Sequence, residues 1–401
     1  METHSSSVYR RKSLKLENFE KFKLCSKSFE KQYCNIYNAR LTVLRDLLLQ
    51  KARDKWAQNE ILFTLSELSE KDQDNDYIVI GSLYKHQELK PSILHELSEE
   101  LQLTTQLPRT NYASFKDVLF LEDNSLRIKL VGNHMNIQNV VTGIICAVLG
   151  HQLENGAFYV TDWCYPGCIP KLTTISKPLD KFGKILIISG LDLANNTQSL
   201  SLNLFSEWIT GMIGCNEVQK EVASIACIII AAQCCPIILM PGEFDPSCHA
   251  IPQQAFHPCI LPQTSRLKSF YAVTNPWIGS INSRIIAGSS GQPISDIMKV
   301  AGLANASPLS WLECTLIWSH YAPTAPDTVP AYPYSQIDPF VMTEFPDIYF
   351  VGNMDKYDTK LVAANERNTR LICIPKFSET QTAVLIDLQD LRTWPVSFGV
   401  C

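Results

Sequence analysis

The spacing of apolar residues changes twice along the chain. From Tyr33 to about Trp56, Ile36, Leu41, Leu44, Leu48 and Leu49 recur at helical spacing, which predicts an amphipathic helix. Between Tyr77 and Ile169 the pattern shortens to β-type runs: Tyr77 to Gly81, Val118 to Leu121, Leu126 to Val131, Gly143 to Leu149 and Phe158 to Asp162. Turn signals at Glu122-Asp123-Asn124 and Glu154-Asn155-Gly156 join them in hairpin style. Residues Pro91 to Leu101 read as a helix or long loop inserted after the first of these strands. Five strands in this span predict a small barrel, with the OB-fold as leading candidate.

After a connector over 171–181 the signature becomes α/β. Ile185 to Ser189, Cys227 to Ala232 and Ile237 to Met240 are uninterrupted apolar runs, and Leu200 to Thr210 is helix-like. Further strand patterns lie at Tyr271 to Pro276, Arg284 to Gly288, Ile348 to Asn353, Arg370 to Ile374 and Ala383 to Asp387, with helical patterns at Asp296 to Gly302 and Leu309 to Trp318. Apolar strands alternating with helices predict a parallel sheet covered on both faces, within a sandwich-like α/β domain over 182–401. The remaining divisions are a flexible basic tail over 1–30, a helical lead-in over 31–76 and the barrel over 77–170.

Composition narrows the function classes. A chain of 401 residues with 46% hydrophobic and 19% charged residues is an ordinary globular composition. The net charge of -5 offers no global basic field for nucleic acid. The aromatics of the barrel runs are not interleaved with Lys or Arg along the chain, so a protein-docking barrel is expected rather than an oligonucleotide binder. The 14 cysteines include Cys164 and Cys168 but no CxxC, which reads as free thiols rather than a zinc ribbon. The N-terminus has no apolar core of signal-peptide length, and Arg10-Arg11-Lys12 alone says little about nuclear import. Val222 to Met240 imitates a membrane span, but Gln233 and Pro236 interrupt it and β-branched Ile dominates, so buried strands explain it better.

Candidate chemistry gathers at strand ends. Ser189-Gly190-Leu191-Asp192, Ala231-Ala232-Gln233, Pro241 to Pro246 and Val351 to Asp355 follow apolar runs, the positions from which two-metal phosphoesterases collect Asp, Asn and His ligands. Residue types argue against activity. Asp192 is followed by Ala194 where a histidine would stand, Gln233 is a neutral amide, Glu243-Phe244 replace an Asn-His pair beside Asp245, and the Asn353 loop has no histidine. A dinuclear site without imidazoles holds metal poorly. Gly288 to Gln292 lacks the Lys-Ser/Thr of a phosphate-binding loop and the glycine spacing of a nucleophile elbow. His257 and His320 have no evident nucleophile partner. The proline-rich stretches IPQQAFHPCILP and HYAPTAPDTVPAYPY predict rigid surfaces, with Phe256, His257, Tyr321, Tyr332 and Tyr334 as candidate partner contacts.

The motifs PGEFDPSCHAIPQQAFHPCILP, TNPW, GSSGQPISDI, HYAPTAPDTVPAYPY and YFVGN together resemble the small, second subunits of eukaryotic DNA polymerase delta, within the B-subunit family of replicative DNA polymerases. The resemblance runs from about Tyr33 onward. It implies an OB barrel followed by a calcineurin-like metallophosphoesterase sandwich that is catalytically degenerate. It also implies no cofactor, a nuclear location and a scaffold role in replication and repair synthesis. That role holds the C-terminal domain of the catalytic subunit and docks the third subunit, with the sliding clamp engaged indirectly, DNA contacted weakly at most and no membrane. The alternative is an active metal-dependent phosphoesterase or nuclease, as in archaeal polymerase small subunits. One departure stands out. Only Gln233 to Pro236 separate two expected parallel strands, where a crossover needs about a dozen residues and the family has a helical segment, so either that segment is missing or Val218 to Gln233 forms a helix feeding the strand directly.

Overall fold

The computed structural model describes residues 15–24, 30–72, 75–90, 110–132, 136–167, 183–193, 200–229, 236–302, 306–364 and 367–399. The helix or loop expected over 91–101, the connector 171–181, Gln233 and Cys168 lie outside the described residues. In chain order the strands are β1 (Leu16–Asn18), β2 (Tyr77–His86), β3 (Val118–Glu122), β4 (Arg127–Val131), β5 (Ile145–Gln152), β6 (Phe158–Cys164), β7 (Lys184–Ile187), β8 (Ile225–Ile229), β9 (Ile237–Leu239), β10 (Phe270–Ala272), β11 (Trp277–Ile281), β12 (Arg284–Ser289), β13 (Ile348–Met354), β14 (Asp358–Ala364), β15 (Arg367–Pro375), β16 (Thr382–Asp387) and β17 (Thr393–Ser397). The helices are α1 (Cys34–Lys55), α2 (Leu200–Thr210), α3 (Asn216–Ser224), α4 (Gln292–Val300), α5 (Pro308–Ile317) and the single turn α6 (Phe377–Thr380). Among the described residues no helix is long and apolar enough to cross a membrane; the apolar stretch from Val222 ends α3 and then forms β8 and β9.

The chain forms two compact units, one comprising Ser26–Pro170 and Gln292–Glu344. Its centre is a closed barrel in the order β2-β3-β4-β6-β5. All ladders are antiparallel except the closing β4–β6 pair. Side chains alternate as the strand period requires: Leu119, Leu121, Ile128 and Leu130 are buried inward, while Arg127 and Lys129 are exposed outward. The ladder between β5 and β6 slips at Leu149/Gly150. A Cβ at Gly150 would stand 1.8 Å from the Tyr159 carbonyl oxygen, so only glycine closes the barrel there. Helix α1 buries Leu41, Leu44, Leu48 and Ala52 against Ile78, Ile80, Ile145, Ala147 and Leu149 of the barrel wall, the face its apolar spacing predicts.

Residues 292–344, expected in the α/β domain, belong to the barrel unit. Polar groups explain the attachment. The last carbonyls of α4 lack intrahelical partners; Asn111 donates to those of Met298 and Ala301, and Lys85 and Gln87 donate to that of Val300 at 3.2 and 3.0 Å. Helix α5 starts at Ser307, whose hydroxyl accepts from the Ser310 amide at 3.2 Å, with Pro308 in the first turn. The proline-rich block that follows lines the interior rather than building a surface. Arg40, fully buried, donates to the Asp338 carboxylate at 2.7 Å and to the carbonyls of Gly143, Pro323 and Ala325 at 2.8, 2.9 and 2.7 Å. Prolines leave this stretch without a regular ladder, and the guanidinium gathers the carbonyls so freed.

The second unit comprises Met1–Cys25, Lys171–Gly291 and Phe345–Cys401. Two six-stranded sheets, β1-β11-β12-β13-β15-β14 and β10-β9-β8-β7-β16-β17, are both mixed: the first has a parallel centre and antiparallel edges, and the second is parallel from β10 to β7 and antiparallel over β16 and β17. They differ from the single parallel sheet that the apolar runs predict. Their inner faces meet in one core, Ile185, Ile187, Cys227, Ile229 and Ile238 against Trp277, Ile286, Ile348, Phe350 and Ile372. The outer face of the β7 sheet is covered by Phe205 and Ile209 of α2 together with Phe377 and Phe398.

Part of the expected flexible tail is ordered structure. β1 pairs antiparallel with β11, the Phe22 side chain is 1% exposed, and Gln254 clamps the segment by accepting from the Leu24 amide and donating to the Phe22 carbonyl. A three-residue edge strand carries too little pattern to be read in sequence. Phe22→Ala is expected to lower the stability of this unit by about 3 kcal/mol through loss of a buried ring, measured by denaturant unfolding.

Strands β8 and β9 pair in parallel although only residues 230–236 join them. Their register shows why a helix is not required: Ile228 lies opposite Ile237 and Ile229 opposite Ile238, so β9 begins level with the end of β8. The chain must shift one strand spacing sideways and almost nothing backwards.

A neutral polar cluster at the strand ends

In the sandwich unit the C-terminal ends of β7, β12 and β13, with the loop after β10, bring polar side chains together. These are the places where parallel strands release backbone groups and where sites are built in such sheets. Ser189 follows β7, and its hydroxyl accepts from the Asn353 amide at 3.0 Å. Asn353, at φ 57° in β13, donates from Nδ2 to the Ser290 carbonyl at 2.7 Å. The Ser290 amide donates to Asn275 Oδ1 at 3.0 Å, and Asn275 Nδ2 donates to Ser290 Oγ and Gln253 Oε1, both at 2.7 Å. Gln253 exchanges two backbone bonds with Asn275 and passes the chain on, its Nε2 donating to the carbonyls of Gly242 and Cys248 at 2.9 and 3.0 Å. Gly190, at φ +64°, lets the β7 loop approach closely: a Cβ there would lie 2.6 Å from Asn353 Oδ1.

Asn275, Gln253, Ser290 and Ser189 are all buried. Buried polar groups that satisfy one another hold a fixed arrangement without charge. That is the opposite of a metal centre, which needs anionic or imidazole donors directed inward. The acids of the neighbouring loops lie elsewhere. Asp192 is exposed in the β7 loop; Glu243 and Asp245 are exposed in the Pro241 to Pro246 loop, where the Asp245 carboxylate accepts from the Gly242 amide at 2.7 Å and closes the turn on itself. Phe244, at the tip of that loop, is 95% exposed. Among the described residues no three His, Cys, Asp or Glu side chains converge as a metal site. The described donor set does not fit the two-metal centre that the phosphoesterase comparison implies.

Of the candidate positions, the structure brings Asn353 into the cluster and links Asp245 to it through Gly242 and Gln253, while Asp192, Glu243 and Phe244 remain apart on exposed loops. Ser189, Gln253, Asn275 and Ser290 were not predicted as site residues. Gln253 and Asn275 each neighbour a proline, in IPQQ and TNPW, but their contact spans 22 residues and has no local signature.

The candidate partner contacts divide. Phe256 is half-buried, and His257 is exposed with Nδ1 2.8 Å from Cys259 Sγ. Tyr321 and Tyr332 are buried inside the barrel unit and Tyr334 is half-buried against the Tyr332 ring, so the two buried rings are corrected from surface to core. His320, also buried, places Nε2 2.9 Å from Asp338 while its Nδ1 accepts from the Ala322 amide, which fixes a neutral ring with the proton on Nε2. Cys164 is half-buried, and its thiol donates to the Tyr165 carbonyl.

Comparison with known proteins gives two family matches, the second of which spans parts of both units. Residues 32–163 match the family model of the DNA polymerase delta subunit OB-fold domain, and residues 216–359 match the family model of the B subunit of DNA polymerase alpha/epsilon. The chain is 36% identical over 430 aligned positions to DNA polymerase delta subunit 2 of Drosophila melanogaster, covering 96% of this chain and 98% of that protein. It is 32% identical to the DNA polymerase delta small subunit of Arabidopsis thaliana, covering 100% and 99%, and 27% identical to that of Saccharomyces cerevisiae, covering 94% and 92%. The chain belongs to the family of DNA polymerase delta small subunits, regulatory subunits of DNA replication with an OB-fold domain toward the amino terminus.

Proposed function

We propose that this chain is a non-catalytic assembly subunit of DNA polymerase delta. It holds the C-terminal domain of the catalytic subunit and docks the third subunit, through which the sliding clamp is engaged, in replication and repair synthesis in the nucleus. The sandwich unit is read as a calcineurin-like phosphoesterase fold whose metal centre has degenerated, Asp192, Gln233, Glu243, Phe244, Asp245 and Asn353 standing at the former ligand positions. The observation that carries this reading is the buried Ser189–Asn353–Ser290–Asn275–Gln253 network, whose amides and hydroxyls bond to one another and present no inward charge to a cation. The exposed Phe244 and His257 and the half-buried Phe256 are read as contacts for partner chains.

The aligned length also bears on this chain. An alignment of 430 positions exceeds its 401 residues, so this chain lacks positions that its relatives have. We place part of that difference between β8 and β9, where the connection is short.

Co-expression with the C-terminal domain of the catalytic subunit is expected to give a stoichiometric complex, and the purified chain is expected to show no manganese-dependent cleavage of single-stranded DNA. Cleavage abolished by Asp245→Ala would replace this reading with that of an active phosphoesterase.

A further inference from the structure

The register of the barrel places on one face what the sequence scatters over three strands. Outward side chains of β2, β3 and β4 form rows: Ser82 opposite Glu122 and Glu122 opposite Arg127, then Tyr84 opposite Phe120 and Phe120 opposite Lys129. His86 extends the face two residues along β2. The rings form a strip, Tyr84 to Phe120 with centroids 6.3 Å apart and Tyr84 to His86 at 6.5 Å. The Arg127 guanidinium lies 4.4 Å from the Tyr84 centroid and 5.8 Å from that of Phe120. Tyr84 and Phe120 are half-buried, whereas His86, Arg127 and Lys129 are exposed. The absence of Lys or Arg beside the aromatics in sequence therefore misleads, because the cations arrive from the neighbouring strand.

We propose that this β2–β3–β4 face binds single-stranded nucleic acid, with bases stacked on the Tyr84–Phe120–His86 strip and the backbone running along Arg127 and Lys129. Two chemistries are needed for such binding, π-faces that accept any base and cations beside them for phosphate. The rings stand on β2 and β3 and the cations rise from β4, with the Arg127 guanidinium reaching over the Tyr84 ring and Lys129 opposite Phe120, so bases stacked along the strip bring their phosphates to Arg127 and Lys129. Glu122 is the opposing charge on this face and is ion-paired with Arg127. Lys85 turns inward to Asp117 and the Val300 carbonyl and adds nothing outside. With two cations and one carboxylate, stacking dominates over charge. Binding is therefore weak and only mildly salt-dependent, with a slope of log affinity on log salt of about -1.4 for two phosphates on a single strand. Binding at this face is independent of whether the strand-end cluster is catalytic.

The test is fluorescence anisotropy of a labelled oligothymidine with the full chain, over a series of salt concentrations. Saturable binding at micromolar chain is expected, with little binding to duplex of the same length. Tyr84→Ala/Phe120→Ala should weaken it at least tenfold, Tyr84→Phe should retain it, and Arg127→Ala/Lys129→Ala should weaken it and flatten the salt slope. Unchanged circular dichroism and melting separate loss of binding from loss of the barrel. Affinity unchanged in the ring variant would overturn the proposal. So would a ring variant that loses a partner polymerase subunit while binding oligothymidine normally, because the face would then be a protein contact.

Discussion

Arg40→Met will destabilise the barrel unit by about 3–5 kcal/mol, the cost of breaking a buried ion pair from one side. The guanidinium donates to the Asp338 carboxylate and to three carbonyls from different parts of the unit, and both charged side chains are fully buried. Methionine fills similar volume but leaves a carboxylate and those carbonyls without these donors. Against a typical total stability of about 5–15 kcal/mol the loss is large. Replacing both members, Arg40→Met with Asp338→Leu, is expected to be less damaging than Arg40→Met alone, since no charge is then left uncompensated.

The pH dependence distinguishes this account from simple loss of packing. Burial would push the Asp338 carboxyl up, but Arg40 and the His320 ring beside it hold it well below the usual carboxylate range. A depressed carboxyl contributes stability above its unfolded pKa, and the contribution is lost as pH falls through the folded value. Without Arg40 the burial effect gains weight and the folded state favours the protonated form. The gap between parent and variant should therefore narrow as pH falls toward about 4, the ordinary carboxylate value. Urea unfolding at neutral and mildly acid pH checks this; a gap independent of pH would mean that the loss is packing alone.

What the sequence made legible follows from interaction range. Helix α1 and most strands were readable because one buried face or two buried faces imprint a period on consecutive residues. β1, β14 and β17 were not, and neither was β11, whose short buried run WIGSI directly follows Pro276. LEN, DTKLVAA and TWPVS carry polar or mixed patterns and take their strand state from a neighbour rather than from their own residues. The same holds for function. The loops after β7, β9 and β13 could be recognised as site loops, yet the cluster that closes that end of the sandwich depends on Gln253 and Asn275, which only tertiary pairing brings together. The proline-rich block looked like surface because its carbonyl acceptors are visible in sequence while their donor, Arg40, lies 283 residues away from Pro323. Across the barrel, Tyr84 meets Phe120 and Arg127 by register alone.

Asn275→Asp tests the neutral character of the strand-end cluster with almost no change in shape. The two donors of Nδ2, each 2.7 Å from its acceptor, become an oxygen facing Gln253 Oε1 and Ser290 Oγ. Ser290 can rotate its hydroxyl to donate, but the Gln253 oxygen cannot, and the new carboxylate sits in a fully buried position. An unmatched buried charge of this kind is expected to cost about 3 kcal/mol at neutral pH. The sign with pH is the reverse of that for Asp338. Desolvation raises the folded pKa of the introduced acid, so the variant is close to the parent below the unfolded value of about 4 and loses stability as pH rises toward the raised folded value. Millimolar manganese is the decisive addition. Among the described residues no three His, Cys, Asp or Glu side chains converge as a metal site, so on the non-catalytic reading metal should leave the melt unchanged and should bring no DNA cleavage. Recovery of stability with manganese, accompanied by phosphodiester cleavage, would mean that one anionic group completes a metal site, and the non-catalytic reading would fall with it.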